Sequence, residues 1–571
     1  MLVHGDNFQA LSLLSSRYRG AIECIYIDPP YNTSESSFIY KNGYKHSSWL
    51  SLIQSRVEAS AGLLGKGGIL SCAIDDFEHS YLQGTLDRIF GVEGRAGNLV
   101  IEIKPSGRTN DAYLATSHEY ILFYNWPDAP AKIDFFPLTE KQIAEYSEGE
   151  GENKYKWRDF LRTGGYSTPE ERRNSYYPIY YNEQTDTAAL EPFEGSVEIL
   201  PIDSEGKTRV WRKTRPSFLE HLAAKEINFT KNRQGGWKVQ IIDRIKPGTR
   251  PKSVWTGAKY DSSSHGTKLI RNLLGNAKAF SFPKSVHAVF DTLFINAASK
   301  PTLTVLDYFA GSGTTGHAVL NLNRADEGTR KYIQVEQGDY FDGVLKPRMQ
   351  KVTYSADWRD AKPIAPETGI SHAFKVLKIE SYEDTLNNLD LKRERAQEGL
   401  LEQLDRNGRD DYLIRYMLDV EARGSLLSVE DFRKPFDYEL NIAVDSAGAC
   451  ERRKVDLVET FNYLIGLTVK SIDFQLKQGF VTVEGKLPTG ERTLVLWRDC
   501  DLVDYEALTR LCNRLAINPA DSEYDVVYIN GDHNIPSIVT SSEAEGEVSK
   551  VLKLRQVEPA FLEAMFDVSD V

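Results

Sequence analysis

The stretch TLTVLDYFAGSGTTG, residues 302–316, decides the fold class of this 571-residue chain. Its apolar half predicts a buried β-strand that ends at Asp307, and its glycine-rich half predicts a tight turn that opens a helix near Thr314. A further strand, KYIQVEQ at 331–337, follows that helix. This alternation is typical of an α/β protein with a mostly parallel sheet, in which ligands bind at the carboxyl ends of the strands.

The N-terminal part of the chain repeats this alternation and carries a second strand with a polar end. The run AIECIYI, residues 21–27, predicts a buried strand, and Asp28-Pro29-Pro30-Tyr31 follows it directly. Because the two prolines restrict the turn, a carboxylate, an aromatic ring and free carbonyl groups are presented together. This set suits a planar ring with an exocyclic amine, since Tyr31 can stack on the ring while Asp28 accepts an N–H. An ordinary strand-to-loop turn is the alternative for the tetrapeptide alone.

The glycine-rich turn predicts a site for a nucleoside cofactor. Its glycines let backbone amides approach a ligand closely, and Asp307 can receive an amino group. Glu336 ends the next predicted strand, where an acid binds ribose hydroxyls, and Asp6, in the HGDN segment, can meet an adenine. Taken alone, this turn fits a nicotinamide-dependent oxidoreductase equally well, although that reading leaves DPPY and HGDN unexplained.

The charge distribution indicates a localised basic segment. The whole chain has a formal net charge of −13, but residues 207–284 hold 18 Lys or Arg against 4 Asp or Glu. Residues 375–571, by contrast, hold 24 basic and 38 acidic residues. A basic segment within an acidic protein predicts a phosphate-binding surface, with a solvated basic loop as the alternative. The acidic C-terminal part predicts a surface for protein partners.

The composition excludes several classes of protein and site. The five cysteines are scattered and form no CxxC pair, which argues against a disulfide framework and against a zinc site. No apolar run reaches the roughly 18 residues that a membrane span needs, and the N-terminal residues lack the features of a secretory signal. We therefore expect a cytoplasmic, multidomain protein that does not bind a membrane.

Together, DPPY and DYFAGSGTTG resemble the catalytic and methionine-binding motifs of the amino-methylating DNA methyltransferases, which use S-adenosylmethionine. Their order resembles the β arrangement of that family, in which the recognition region lies between the two motifs. More narrowly, IYIDPPYNT, HEYILFYN, VETFNYLIGL and YDVVYINGD are similar to the modification subunits of prokaryotic type III restriction–modification systems. The resemblance implies a Rossmann-like methyltransferase core with circularly permuted motif order, an inserted recognition domain and an α+β C-terminal domain. The expected domains are 1–130 (catalytic half), 131–265 (recognition), 266–372 (cofactor half) and 373–571 (dimerisation and partner binding).

The resemblance also assigns roles to individual residues. Asp28 is expected to accept a hydrogen of the target amine, the Pro29–Pro30 segment to offer a carbonyl, and Tyr31 to stack on a base flipped out of the duplex. The residues expected to bind the cofactor are Asp6, Lys284, Asp307, Phe309, Gly311, Gly313, Thr314 and Glu336. No cysteine follows a proline, which disfavours C5 methylation of cytosine, and the acidic first motif residue favours adenine N6 over cytosine N4.

Recognition of the target is expected from residues of about 105–265, where arginines can read guanine edges and lysines can neutralise phosphates. The candidate DNA-binding residues are Arg209, Arg212, Lys213, Arg215, Arg233 and Arg250. The resemblance implies three partners: double-stranded DNA, a second copy of the chain, and an ATP-dependent restriction subunit of the helicase–nuclease type. The alternatives are a stand-alone DNA methyltransferase, a protein-amide methyltransferase and a DNA-binding module without activity.

Overall fold

The computed structural model describes residues 1–32, 46–108, 111, 113–232, 235–276, 278–389, 427–444, 449–515, 517, 523–535, 538–539 and 550–566. The chain divides into two compact units, one from Met1–Asp134 and Lys252–Val571 and the other from Phe135–Pro251. No helix within the described ranges combines the length and the apolar character that a membrane crossing needs.

A nine-stranded sheet forms the centre of the first unit. All neighbouring strands are parallel except His118–Tyr124, which is antiparallel to both of its neighbours. From one edge to the other the strands are Val254–Trp255, Arg95–Glu102, His118–Tyr124, Leu64–Ile74, Ile22–Ile27, Thr304–Asp307, Lys331–Glu336, Leu2–His4 and Val376–Lys378. The predicted α/β fold with a mostly parallel sheet is therefore confirmed.

Helices cover both faces of this sheet. On strand Ile22–Ile27, Ile25 and Ile27 belong to the same apolar core as Trp49, whereas Cys24, the residue before Ile25, lies 3.9 Å from Asn296 in another helix. Because successive side chains of a strand point to opposite faces, the two helices lie on opposite sides. The helices of this part are Asn7–Tyr18, His46–Ala61, His79–Phe90, Lys268–Leu274, Val286–Ala297, Thr314–Asp326, Lys346–Tyr354 and Tyr382–Asn387.

The two sequence motifs follow neighbouring strands. Strand Thr304–Asp307 pairs in parallel with strand Ile22–Ile27, with Val305 opposite Cys24 and Leu306 opposite Ile25. Parallel strands end at the same edge of a sheet, so the DPPY turn and the glycine-rich turn open side by side. The sheet thus joins two motifs that are some 280 residues apart in the sequence.

One predicted element boundary is wrong. The GKGG segment at 65–68 is predicted to end a helix before a strand at 69–74, but the helix ends at Ala61 and the strand is Leu64–Ile74, which includes GKGG. A Cβ atom on Gly65 would lie 2.6 Å from the carbonyl oxygen of Gly20. The glycine there serves the close approach of two backbone segments within the sheet.

The described C-terminal residues form a five-stranded mixed sheet. Its strands are, in spatial order, Thr468–Gln475, Phe480–Lys486, Arg492–Arg498, Val526–Ile529 and Lys553–Gln556. Helices Leu457–Leu464, Tyr505–Arg514 and Val557–Phe566 complete two apolar cores. Helix Leu457–Leu464 packs on helix Asn7–Tyr18 and adds Tyr463 to the main core. Residues 383–423 are polar and their sequence predicts a helical stretch, most of which lies outside the described residues.

The second unit has its own small core around Phe160, Trp211 and Phe218. Antiparallel strands and the helices Glu140–Ala144 and Arg215–Ala223 surround it; the strands are Tyr155–Asp159, Leu161–Arg162, Ile179–Asn182, Thr187–Ala189, Val197–Ile199, Val210–Trp211, Ile227–Lys231 and Trp237–Arg244. At its two ends, Phe136 and Thr249 exchange backbone hydrogen bonds of 3.0 and 2.8 Å. The chain therefore enters and leaves this unit side by side.

Candidate active site

The DPPY turn is fixed by hydrogen bonds from outside it. The indole nitrogen of Trp49 donates to the carbonyl of Pro30 at 2.7 Å. Asn32, which follows the motif with a φ of +57°, donates to Oε1 of the fully buried Glu78 at 2.7 Å. His46 reaches the same oxygen at 2.9 Å. The turn is therefore held in one conformation from both of its sides.

The reactive end of the turn lies in a cluster of charged side chains. The Lys284 ammonium lies 3.3 Å from Oδ1 of Asp28 and donates hydrogen bonds to Glu119 and to the Tyr31 hydroxyl. The Tyr31 hydroxyl donates in turn to Oε2 of Glu119. Lys284, predicted to bind the cofactor, thus stands beside the catalytic motif.

Burial and charge act against each other within this cluster. Burial raises the pKa of Asp28, the Lys284 ammonium opposes that rise, and the Glu119 carboxylate adds to it. Burial lowers the pKa of Lys284, but the two carboxylates outweigh burial and raise it. Burial, Asp28 and Glu119 hold the pKa of Tyr31 well above its usual range. At neutral pH the cluster therefore contains an ammonium group and a neutral phenol.

The glycine-rich turn is shaped around two buried carboxylates. Asp307 accepts hydrogen bonds from the Thr315 hydroxyl, at 2.5 Å, and from the backbone of Phe309, at 3.0 Å. Glu336 accepts from the backbone nitrogen of Gly311 at 2.7 Å and from that of Gly338 at 2.8 Å. Burial raises the pKa of both acids, that of Asp307 to about 7.

The glycines of this turn meet a conformational requirement. Gly311 and Gly313 have φ values of +52° and +84°, a region that side chains disfavour. A Cβ atom on Gly311 would lie 3.2 Å from the ring of Phe280. Phe309, the aromatic residue of this turn, is partly buried and packs against the main core. Tyr31 of the other motif does the same.

The buried Arg348 stabilises the glycine-rich turn through hydrogen bonds. Arg348 is fully buried and donates to the carbonyl and hydroxyl oxygens of Ser312, at 3.2 and 2.8 Å, and to the Thr314 hydroxyl at 3.0 Å. Burial lowers the pKa of this guanidinium to about 9. The Thr314 hydroxyl, predicted to bind the cofactor, is here bound within the protein.

Asp6 begins the first helix and links it to the second. Its Oδ1 caps helix Asn7–Tyr18, accepting from the backbone nitrogens of Phe8 and Gln9 at 2.9 and 3.1 Å. Its Oδ2 lies 3.3 Å from the guanidinium of Arg56. The neighbouring Asn7 donates to the carbonyl of Tyr308 at 3.0 Å, which joins the HGDN segment to the glycine-rich turn. Contact of Asp6 with an adenine stays a prediction.

The two turns together form a polar site at one edge of the sheet, and its residues fit an amino acid joined to a nucleoside. Asp307 and Glu336 are 2% and 7% exposed and form no ion pair with any described residue. Buried carboxylates without a cation can receive an ammonium group and ribose hydroxyls. The neighbouring Asp28 has a buried Oδ1 that accepts no hydrogen bond of good geometry from a described residue.

Two of the candidate DNA-binding residues make polar contacts within the second unit. Arg209 forms an ion pair with Asp203, with Nε 2.8 Å from Oδ2. Arg212 donates from Nε to the carbonyl of Asp159 at 2.6 Å. Arg233 lies outside the described residues. A role in DNA binding stays a prediction for all three.

The other three candidates are exposed in the second unit. Arg215 begins a helix with its guanidinium 5.8 Å from the centre of the Tyr177 ring. Arg250 lies over Phe135 at 5.7 Å, and the Lys213 side chain, two residues before Arg215, is exposed. The basic segment 207–284 as a whole is divided between the two units, because the boundary falls after Pro251.

Sequence reasoning did not single out several residues of the site. Glu119 belongs to HEYILFYN, a segment that the sequence analysis uses only for the family resemblance. The signal that could have identified it is a charged residue within an apolar strand. Trp49 is expected from its helical spacing to lie on the apolar face of a helix, whereas Glu78 and Arg348 have no local signal. They act through hydrogen bonds to segments far away in the sequence.

Comparison with known proteins agrees with this geometry. The family model described as DNA methylase, of the N6 and N4 methyltransferases, matches residues 22–342. The type II methyltransferase M.KpnI of Klebsiella pneumoniae is 32% identical over 346 residues, which are 58% of this chain and 79% of that protein. The EcoPI Mod subunit of a type III restriction–modification enzyme, from Escherichia phage P1, is 27% identical over 412 residues. That match covers 66% of this chain and 62% of the subunit.

Among solved structures, the M1.HpyAVI–SAM complex is 14% identical, with a TM-score of 0.29, over 61% of this chain and 98% of its own. The family assignment rests on the sequence matches, and the residues matched by the family model include both the DPPY turn and the glycine-rich turn. The chain belongs to the DNA methylase family of N6 and N4 methyltransferases.

Proposed function

We propose that this protein transfers the methyl group of S-adenosylmethionine to N6 of adenine at a specific site in duplex DNA. The observation that carries the proposal is that Asp28 and Tyr31 follow one strand, while the buried carboxylates Asp307 and Glu336 end the next two strands and form no ion pair with any described residue. One half can bind a planar amine and the other an amino acid joined to a nucleoside.

Asp28 and Tyr31 would bind the target base. Adenine must leave the stack to reach a pocket at the sheet edge, which costs a few kcal/mol of stacking and pairing. Stacking on Tyr31, worth about 1–3 kcal/mol per base in other proteins, offsets part of that cost. Oδ1 of Asp28 accepts one N6 hydrogen. Since Trp49 occupies the Pro30 carbonyl, the Pro29 carbonyl is the acceptor that the motif can offer to the second hydrogen.

These hydrogen bonds draw the amine lone pair out of conjugation with the ring, so that it points at the donor. When bound, S-adenosylmethionine would supply the methyl group to this lone pair and leave as a thioether, because the carbon–sulfur electron pair stays on sulfur. The amine would pass its surplus proton to the Asp28 carboxylate, which already accepts one of its hydrogen bonds. Asp307 would hold the amino group of the cofactor and Glu336 its ribose. Catalysis on this plan comes from proximity and electrostatic positioning.

Target recognition is assigned in this proposal to residues 131–265, with exposed Lys213, Arg215 and Arg250 as phosphate or base contacts. The names of the relatives support a place in a type III restriction–modification system, as the modification subunit. In that setting the chain would act as a dimer and bind an ATP-dependent restriction subunit through its acidic C-terminal part.

Transfer of labelled methyl groups to unmethylated genomic DNA tests the proposal. We expect N6-methyladenine at one discrete sequence, and loss of transfer in Asp28→Ala with S-adenosylmethionine binding retained. Asp128→Asn, at an exposed carboxylate, serves as the control and should methylate as the wild type does. Methylation of cytosine N4 would overturn the adenine assignment, and transfer to protein alone would overturn the DNA assignment.

A further inference from the structure

Glu119 and Lys284 form a buried ion pair that contacts the DPPY turn. The Glu119 side chain is 5% exposed and the Lys284 side chain 15%, and they contact each other through Oε2 and Nζ. Glu119 lies on the antiparallel strand of the sheet, whereas Lys284 precedes helix Val286–Ala297. Their separation of 165 residues means that only the folded sheet brings them together.

Burial of such an ion pair costs free energy. Desolvation of two charges costs several kcal/mol per ion, and replacement by apolar residues is often neutral or stabilising. This pair is also tied to the reactive residues: the ammonium lies 3.3 Å from Asp28 and 4.3 Å from the centre of the Tyr31 ring. Glu119 accepts the Tyr31 hydroxyl as well. The pair thus contacts both side chains that the proposed function places against the base.

We propose that Lys284 and Glu119 are positioning residues for methyl transfer: Lys284 keeps Asp28 in the carboxylate form, and Glu119 holds the ammonium and the Tyr31 ring in place. This inference rests on the proposed function, because it concerns how Asp28 and Tyr31 meet the target amine. It also assigns Lys284 to the binding of the target base, whereas the sequence analysis assigns it to the cofactor.

The need for such a cation follows from the surroundings of Asp28. The titratable groups around it are Tyr26, Tyr31, Cys72, Glu119, Lys284 and Asp307, and Asp75 faces Glu119 and Lys284. Among these described neighbours Lys284 alone carries a positive charge. An ionised carboxylate accepts a hydrogen bond more strongly than a neutral carboxylic acid does, so the carboxylate form of Asp28 is the one that activates the amine.

The two members of the pair act on Asp28 with opposite sign. Lys284 lowers the pKa of Asp28, and Glu119 raises it. Removal of the ammonium should therefore move the acid limb of the rate profile to higher pH, and removal of the Glu119 charge should move it to lower pH. A residue that matters only for folding would lower the rate evenly across the pH range.

The test is the single-turnover methylation rate between pH 5.5 and pH 9, with excess enzyme and saturating S-adenosylmethionine. Between high and low pH, we expect the rate of Lys284→Met to fall by a factor at least about tenfold larger than the rate of the wild type does. A rise of one unit in the pKa of Asp28 produces a tenfold change of this kind. Glu119→Gln should have a lower overall rate with its acid limb displaced to lower pH. Lys284→Arg, which keeps the charge, should keep the wild-type limb.

A double variant, Lys284→Met with Glu119→Gln, covers the case in which a single charge left behind prevents folding. Its acid limb should fall between those of the wild type and Lys284→Met. Superimposable profiles for all variants, or a double-variant limb at or above that of Lys284→Met, would overturn the inference. Failure of the proposed function is distinguishable, since the wild-type protein itself would then transfer no methyl group to adenine in DNA.

Discussion

The indole nitrogen of Trp49 donates a 2.7 Å hydrogen bond to the carbonyl of Pro30, across 19 residues of sequence. The Trp49 side chain is 1% exposed, so water cannot replace it as the donor. The second carbonyl of the proline pair is therefore committed to holding the turn.

Trp49→Phe should loosen this turn without opening a large cavity. An unsatisfied buried carbonyl costs about 1–3 kcal/mol, so we expect a loss of stability of that size and a fall in the methylation rate. Denaturant unfolding and kcat measure the two effects. Trp126→Phe, at a partly buried ring against Phe90, is the matched control. Equal effects of both substitutions on kcat would contradict the role of the hydrogen bond.

Gly311→Ala should weaken cofactor binding. Alanine at a φ of +52° costs about 1–2 kcal/mol, and its Cβ would press on Phe280 at 3.2 Å. Because the Gly311 amide also binds Glu336, the strain reaches both sides of the predicted cofactor site. We expect the Kd for S-adenosylmethionine to rise about tenfold, equivalent to about 1.4 kcal/mol. Calorimetric titration measures it. Gly67→Ala, at a φ of +68° in open space, carries the backbone cost alone and should bind as the wild type does.

Cofactor binding should weaken in acid because of Asp307. Burial raises the pKa of this acid to about 7 in the folded protein, above its usual value of 3.8. Only the carboxylate form attracts an ammonium group, so the affinity for S-adenosylmethionine should fall as the pH drops below about 7. We expect the Kd at pH 6 to be up to about tenfold higher than at pH 8. Asp307→Asn should bind weakly at both values; a pH-independent wild-type Kd would refute the assignment.

The same group should make folding stability depend on pH. A folded-state pKa above the unfolded value means that Asp307 contributes stability below about pH 4, which is lost as the pH rises through about 7. Asp307→Asn should therefore raise the melting temperature at pH 8 relative to the wild type, with the gain vanishing at pH 4. A gain of equal size at both pH values would show that charge is not the cause.

Gly466→Ala should disturb the contact between the C-terminal part and the core. Gly466 has a φ of +68°, and a Cβ there would lie 2.5 Å from the carbonyl of Ser16 and 2.8 Å from Pro488. We expect a lower melting temperature and faster proteolysis C-terminal to the core. Gly490→Ala, at a φ of +89° in open space, isolates the backbone cost. Indistinguishable melting curves for the two variants would contradict the steric role of Gly466.

The features that could be predicted from the sequence are those that short segments encode, namely the strands and the turns that follow them. The DPPY turn and the glycine-rich turn each follow an apolar strand, and this local order was enough to predict the fold and the family. The partners of those turns depend on sheet order. Nothing within HEYILFYN reveals that Glu119 meets Lys284, and no periodicity reveals that Arg348 closes on Ser312.

Charge counts along the sequence were a weaker guide. The basic segment 207–284 predicts one surface, yet it crosses the boundary between the two units, and Lys284 within it belongs to the catalytic cluster. Arg209 is paired with Asp203. A net charge summed over sequence does not distinguish residues that neutralise each other from those that face solvent.

The paired ends of the second unit, at Phe136 and Thr249, have an evolutionary consequence. A segment whose first and last residues are hydrogen-bonded neighbours can be exchanged for another of different length and sequence while its attachment points stay where they are. Residues 135–251 lie within the segment 131–265 that is proposed to carry specificity, so a lineage could acquire a new target sequence by recombination there. The strands that carry Asp28 and Asp307 would be inherited unchanged, and the chemistry with them.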